Sequence, residues 1–497
     1  MKPDAIKLVL FTTVLWLLHA CTVGPDYVRP TMVAPAAYKE LKDWKVAQPR
    51  DNFSRGKWWE RFGDPQLSAL EEQVDISNQN LQVAEAQFQQ ARALVRVARA
   101  AYFPTITVTP SVTRSMTSTT FSGRSNPIAA PITDYNLSLD ASWEIDLWGR
   151  VRRTVEANQA SAQASAADLE AARLSAQAQL AQDYFQLRAL DAQQRLLEDT
   201  VRDYAKSLTL TQNRYAAGVA SKIDVVQAET QLKTTQAQAI DVGVQRAQLE
   251  HAIALLAGKP ASTFSLPVAP LTAVPPPIPV GVPSALLERR PDIAAAERQV
   301  AAANAQIGVA KAAFFPTLTL SASGGYESSD LSKWFTLPSR FWSVGAALAE
   351  TLFEGGLRLA QTDQAWATYD ANVATYRQTV LTGFQEVEDN LAALRILEQE
   401  AQVQEEAVKA AQQSVTLTTN QYKAGIISYL DVIVVQTTAL NDERTAVDIQ
   451  GRRMVASVLL IKALGGGWNA ADLPSADNLA DNDPRQPLNG IDRMRGD

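Results

Sequence analysis

The chain has 497 residues, 46% hydrophobic and 20% charged, with a formal net charge of −7, an ordinary globular composition that excludes disorder throughout. The acidic balance argues against nucleic acid as a partner. Cys21 is the only cysteine and His19 and His251 the only histidines, so neither a disulfide within the chain nor a Cys/His metal site is expected.

Residues 1–20 place Lys2 and Lys7 before an apolar stretch from Leu8 to Leu18, the pattern of a bacterial export signal that is too short to span a membrane stably. Removing Lys2, Asp4 and Lys7 takes a net +1 from −7 and leaves the mature chain near −8. The string Leu18-His19-Ala20-Cys21 resembles the lipobox of bacterial lipoproteins, with His19 where a small or aliphatic residue is usual. That resemblance implies lipidation of Cys21, and Thr22 after it, rather than Asp, favours transfer to the outer membrane.

Residues 21–63 are Pro-rich and lack apolar periodicity, and read as a lipidated arm leading away from the anchor. Asp64-Pro65 opens a first unit, 64–258, whose helix runs to about Ala101 before Pro104 stops it. A β-hairpin follows over 104–147. Thr105 to Thr109 alternate, and Tyr135, Leu137, Leu139, Trp143, Ile145 and Leu147 share one parity against Asn136, Ser138, Asp140, Ser142, Glu144 and Asp146 on the other. A long helical hairpin then spans 149–257, turning at Ala217-Gly218, where Gly can take the left-handed conformation that ends a helix. Residues 259–283, with Pro275-Pro276-Pro277, form a stiff linker. A second unit, 284–465, repeats the series with a β-hairpin over 316–352 and a helical hairpin over 356–464 that turns at Ala424-Gly425. Residues 466–497 read as a polar, disordered tail.

The two units are copies. VARAAYFPTITV at 97–108 returns as VAKAAFFPTLTL at 309–320, and NRYAAGVASKIDV at 213–225 returns as NQYKAGIISYLDV at 420–432. In each unit about 68 residues of helix reach roughly 100 Å, and two shorter helices together match that length. The fold class expected is therefore mainly α with a membrane β-barrel portion. Half-buried strands of a soluble sandwich would alternate in the same way, but four strands are too few to cover two faces in so helical a chain. Tyr135, Trp143, Tyr326 and Trp342 near strand ends resemble an interfacial girdle. Four strands cannot close in lipid, so copies must share a barrel: two copies would give eight strands and three would give twelve.

No phosphate-cradling Gly loop, nucleophile elbow or metal set is present, so no enzyme and no cofactor is expected. Asp224 and Asp431 sit in the first turns of returning helices, where the helix dipole accounts for them.

Several strings coincide: Gly24-Pro25-Asp26-Tyr27 after Cys21, Trp58-Trp59 with Phe62, Arg289-Arg290-Pro291-Asp292-Ile293 with Glu297, and the doubled Phe-Pro and Tyr-x-Ala-Gly segments. Over roughly residues 21–465 they resemble the TolC-like outer membrane efflux factors, in the NodT-type lipoprotein branch that serves resistance-nodulation-division pumps. The resemblance implies a homotrimer, a twelve-stranded β-barrel continuous with a twelve-helix periplasmic α-barrel, acting as the exit duct for drugs or other small toxic solutes. It implies as partners an inner-membrane pump, a periplasmic adaptor (membrane fusion protein) touching Gly218, Ser221, Gly425 and Ser428, and outer membrane lipid. It places a periplasmic gate at Leu430 and Asp431, with Val434 where relatives often carry a carboxylate. A duct for type I protein secretion would share the architecture. A coiled-coil lipoprotein scaffold is the reading of another class, and lipid-facing strands count against it.

Overall fold

The computed structural model describes residues 22–32, 34–41, 57–116, 118, 131–278, 280, 281 and 283–479; Cys21, the signal segment and residues 480–497 lie outside them. Helix α1 (Pro65–Ser77) opens where Asp64 accepts from the backbone N–H groups of Gln66 and Leu67 at 2.9 and 3.1 Å, with Pro65 at a position that needs no N–H. The single helix expected from 65 to about 101 is two, because Asn78 ends α1 and caps α2 (Gln79–Ala100). Asn78 Oδ1 accepts from the N–H groups of Asn80 and Leu81, while its Nδ2 donates 2.9 Å to Leu256 O. One side chain thus satisfies the start of one helix and the end of another.

The chain continues through β1 (Thr105–Ser115), β2 (Ile132–Ile145), α3 (Arg150–Ala216) and α4 (Lys222–Leu256), then through α5 (Pro291–Ala312), β3 (Thr317–Ser328), β4 (Arg340–Ala349), α6 (Leu357–Lys423) and α7 (Tyr429–Ala463). Helices α3 and α6 have 67 residues each and α4 and α7 have 35 each. The short helix before each hairpin stacks end to end on the returning helix. In the first unit the seam is Asn78 on Leu256, with Gly258 at φ +66° against Ser77 O. In the second, Arg290 Nη1 donates to Ala463 O at 3.1 Å, and Gly465 at φ +90° lies so close to Arg289 O that a Cβ would meet it at 2.0 Å. Arg290 also binds Asp292 and Glu386, each at 2.6 Å. The Arg-Arg-Pro-Asp string is therefore a helix junction.

Small residues let the helices approach closely. Ala160 of α3 packs on Ala301 and Ala302 of α5, and Ala167 on Ala294 and Ala295. The main core gathers Trp58, Trp59, Phe62, Tyr184 and Phe185, with Phe62 and Phe185 ring centroids 4.9 Å apart. The Pro-rich linker is tied down at residues 266–269. Arg188 and Arg246 of α3 and α4 flank the fully buried Asp191 at 2.9 and 2.7 Å and donate to Pro267 O and Leu266 O, while Asp191 accepts from Ala269 N–H at 3.0 Å. The start of the expected disordered tail is ordered instead: Leu479 is completely buried beside Phe88, Val95 and Leu169, and Trp468 packs on the Ala167 cluster. With Leu473, which packs against both clusters, three apolar residues within a polar segment suffice to dock it.

The four strands form one antiparallel sheet in the order β1-β2-β3-β4, the middle pairing joining the two units. Every residue of β1 is exposed, because among the described residues no layer covers the sheet. β4 begins at Arg340 and ends at Ala349, short of the expected end of the hairpin at 352, and Glu350 beyond it pairs with Arg358 at 2.8 Å. β1 and β4 are edges of this chain's sheet, which lipid does not tolerate. Copies must close the barrel.

Candidate functional site

The two helical turns lie together at the end of the molecule remote from the sheet. α3 ends as Gly218 takes φ +72° and Val219 N–H donates to Arg214 O at 2.8 Å; α6 ends as Gly425 takes φ +77° and Ile426 N–H donates to Gln421 O at 3.1 Å. Ser221 starts α4, its N–H donating to Asp224 and its Oγ accepting from Asp224 N–H. Ser428 starts α7, its N–H and hydroxyl donating to Asp431 at 3.0 and 2.8 Å. Asp431 therefore has one carboxylate oxygen occupied by the cap, whatever field it adds to the tip.

Leu430 is 53% exposed and Val434, one turn later, 57% exposed, while their neighbours Tyr429 and Val432 are buried against Tyr422 and Ala228. Leu430 belongs to an apolar stripe that the protomer leaves open.

The residues that tie the two tips together are Arg214, Tyr422 and Tyr429. The Arg214 guanidinium donates to Lys423 O at 2.9 Å, which satisfies the last turn of α6, and stacks 4.8 Å above the Tyr422 ring. Tyr422 and Tyr429 meet edge to face at 5.3 Å, and burial pushes the Tyr429 phenol up to about 12. Tyr422 stands in the repeated Tyr-x-Ala-Gly segment, whereas Tyr429, after the turn, has Lys222 as its counterpart in the first unit; that Arg214, 208 residues before Tyr422, would meet it has no signal in the sequence.

At the opposite end of the helices the arm docks where the barrel begins. Val23 N–H donates to Trp148 O at 3.1 Å, and Thr22 lies against Gly149 at φ +83°, leaving no room there for a Cβ. The Gly-Pro-Asp-Tyr string then clamps onto both units, α5 of the second and α3 of the first. Gly24 touches Gly308, Asn304 donates to Pro25 O at 3.0 Å, Asp26 pairs with Arg153 at 2.8 Å, and the Tyr27 hydroxyl donates to Glu297, which Arg298 grips. Burial raises the Tyr27 phenol above its usual range. Cys21 lies outside the described residues, but Thr22 places the end of the arm at the root of the strands.

Between α3, α4 and α7 lies a cavity of about 350 Å³ lined by uncharged groups, among them Tyr204, Gln227, Gln231, Thr235, Ile433 and Leu440. Among the described residues there is no His/Cys/Asp/Glu group that could hold a metal, and no helix long and apolar enough to cross a membrane.

The family model for outer membrane efflux proteins matches residues 70–259 and 282–466. The chain is 31% identical to the probable efflux pump outer membrane protein TtgC of Pseudomonas putida, over 93% of this chain and 96% of that protein. It is 31% identical to the pyoverdine export outer membrane protein OpmQ of Pseudomonas aeruginosa, over 91% and 95%. Among solved structures, the outer-membrane channel OprN superposes with a TM-score of 0.85 at 30% identity, over 90% of this chain and all of that one.

Proposed function

This chain belongs to the outer membrane efflux protein family, and from that premise we propose that it is the exit duct of a tripartite efflux pump, conducting drugs or other small toxic solutes passively to the exterior. Three copies close a twelve-stranded β-barrel that continues into a twelve-helix α-barrel in the periplasm. The observation that carries the reading is one chain joining a bare, two-edged sheet to helical hairpins about 100 Å long. A scaffold needs neither the amphipathic sheet nor its open edges.

The finer assignments rest on placement. The helical tips, with Gly218, Ser221, Gly425 and Ser428, meet the periplasmic adaptor, which joins the duct to an inner-membrane pump of the resistance-nodulation-division type. The exposed Leu430 and Val434, one from each copy, narrow the tip by excluding water, and Arg214 on Tyr422 holds the two hairpins of a protomer in register. Cys21 carries the lipid, consistent with Thr22 at the root of the barrel.

Conductance of membrane-extracted trimers in planar bilayers tests the reading. Wild type is expected to conduct weakly and Leu430→Ala several-fold more. Silence from correctly inserted trimers of both forms would sink the duct; equal conductance from both would move the gate elsewhere.

A further inference from the structure

The register of the sheet sorts its charges by face. Thr107, Asp140, Ser323 and Ser343 oppose one another across all four strands, and from this row every second residue faces the same way. That face carries Asp134 opposite Thr113, Asn136 between Ser111 and Glu327, and Glu144 opposite Thr319; no Lys or Arg of the paired strands lies on it. The other face carries Ile106, Val108, Leu139, Trp143, Leu320, Trp342, Val344 and Leu348, together with the only two cations of the paired strands, Arg114 and Arg340, both towards the end remote from the helices. The apolar face is the one that can meet hydrocarbon, so the acidic face lines the lumen.

The lumenal carboxylates differ in what answers them. Glu144 pairs with Arg150 at 2.7 Å and Asp146, just past β2, with Arg152 at 3.3 Å, so the root of the barrel is compensated. Asp140 is not. Its oxygens accept from the hydroxyls of Ser138 and Ser323, each at 2.6 Å, neutral donors that hold the group in place without cancelling its charge. It also stands in a row that spans all four strands, whereas Asp134 and Glu327 lie nearer the far mouth. Threefold repetition sets three Asp140 carboxylates at one level, walled by low-dielectric sheet and lipid, where field lines are focused into the lumen.

We propose that the barrel of this duct favours cationic solutes over anionic ones, with the Asp140 carboxylates setting the preference. The inference rests on the exit-duct reading. It describes a field along the passage, not a binding pocket. Solutes bearing an amine, guanidine or quaternary ammonium group are drawn through this stretch, and carboxylate-bearing solutes of the same size cross it more slowly.

The test is the reversal potential of membrane-extracted trimers under a tenfold KCl gradient, with Leu430→Ala used to raise conductance. A K⁺ to Cl⁻ permeability ratio above about 3 is expected, since fields of this kind enrich counter-ions tenfold or more. Asp140→Asn should lower the ratio at least about twofold, Asp140→Lys should bring it below 1, and about 1 M salt should flatten all three, because screening there acts within roughly 3 Å. Unchanged trimer mobility, and single-channel conductance equal to that of the parent at about 1 M salt, would show that Asp140→Asn leaves the barrel intact. A ratio near 1, or a ratio indifferent to Asp140→Asn in conducting trimers, would overturn the preference and leave the duct standing. No conductance from any form would overturn both.

Discussion

Glu71 of α1 is completely buried and neither of its carboxylate oxygens has a partner, with Asp75 one turn further along. Burial first, and the Asp75 charge second, push its carboxyl well above the usual carboxylate range. A raised acid contributes stability that is fully present below the unfolded value, roughly 4.3, and is lost as pH rises through the folded value, each unit of displacement being worth about 1.4 kcal/mol per protomer. Glu71→Gln keeps the shape and never ionises. The variant is expected to melt near wild type at pH 5 and above it at pH 8.5; parallel pH profiles for the two would mean that Glu71 is not the group responsible. Asp431 teaches the complementary lesson. Its first-turn position was explained from the sequence by the helix dipole, and the hydrogen bonds it takes from Ser428 fit that bland account.

At the scale of elements, the doubled sequence solves one problem by two chemistries. The seam between the stacked helices is held by a neutral amide in the first unit, Asn78, and by a buried guanidinium in the second, Arg290. Losing a neutral cap costs about 1 kcal/mol. Removing Arg290 takes the donor from Ala463 O and the cation from Glu386 and Asp292, charge-assisted bonds worth about 1.5–3 kcal/mol. Denaturant unfolding of trimers should therefore place Arg290→Ala well below Asn78→Ala, and equal midpoints would contradict the charge-assisted seam. The break at Asn78 escaped the sequence because Ala- and Gln-rich residues surround it, and a single Asn within such a run has meaning only when the carbonyl it caps, 178 residues away, is known.

At the scale of the molecule, a single protomer leaves much apolar surface uncovered: Trp342, Val344 and Leu348 on the sheet, Leu352 and Phe353 below it, Leu430 and Val434 at the tip. Lipid and two further copies cover it, which is why the protomer has no meaning as a soluble unit. On the proposed lipidation of Cys21 the arm would add a second attachment. Intact mass of the membrane-extracted protein should show acyl chains on Cys21 and none in Cys21→Ala, while the contacts of Asp26 and Tyr27 with Arg153 and Glu297 should keep the arm docked in both, read as equal protection from protease. Unmodified wild type would remove the lipid anchor from this account.

The sequence by itself determined what is local or repeated. The duplication, the alternating strands with their two faces, the helix turns at Gly218 and Gly425, and the first-turn carboxylates Asp224 and Asp431 all follow from spacing and backbone preference, which act within a few residues. Only the tertiary structure decided which distant groups meet. Arg214 on Tyr422, Arg290 on Ala463, the arm on α5, the docking of Leu479 and the alignment of Asp140 with Thr107, Ser323 and Ser343 depend on register across more than thirty residues or between units. Periodicity says that a residue has a face. It takes packing to say what that face meets.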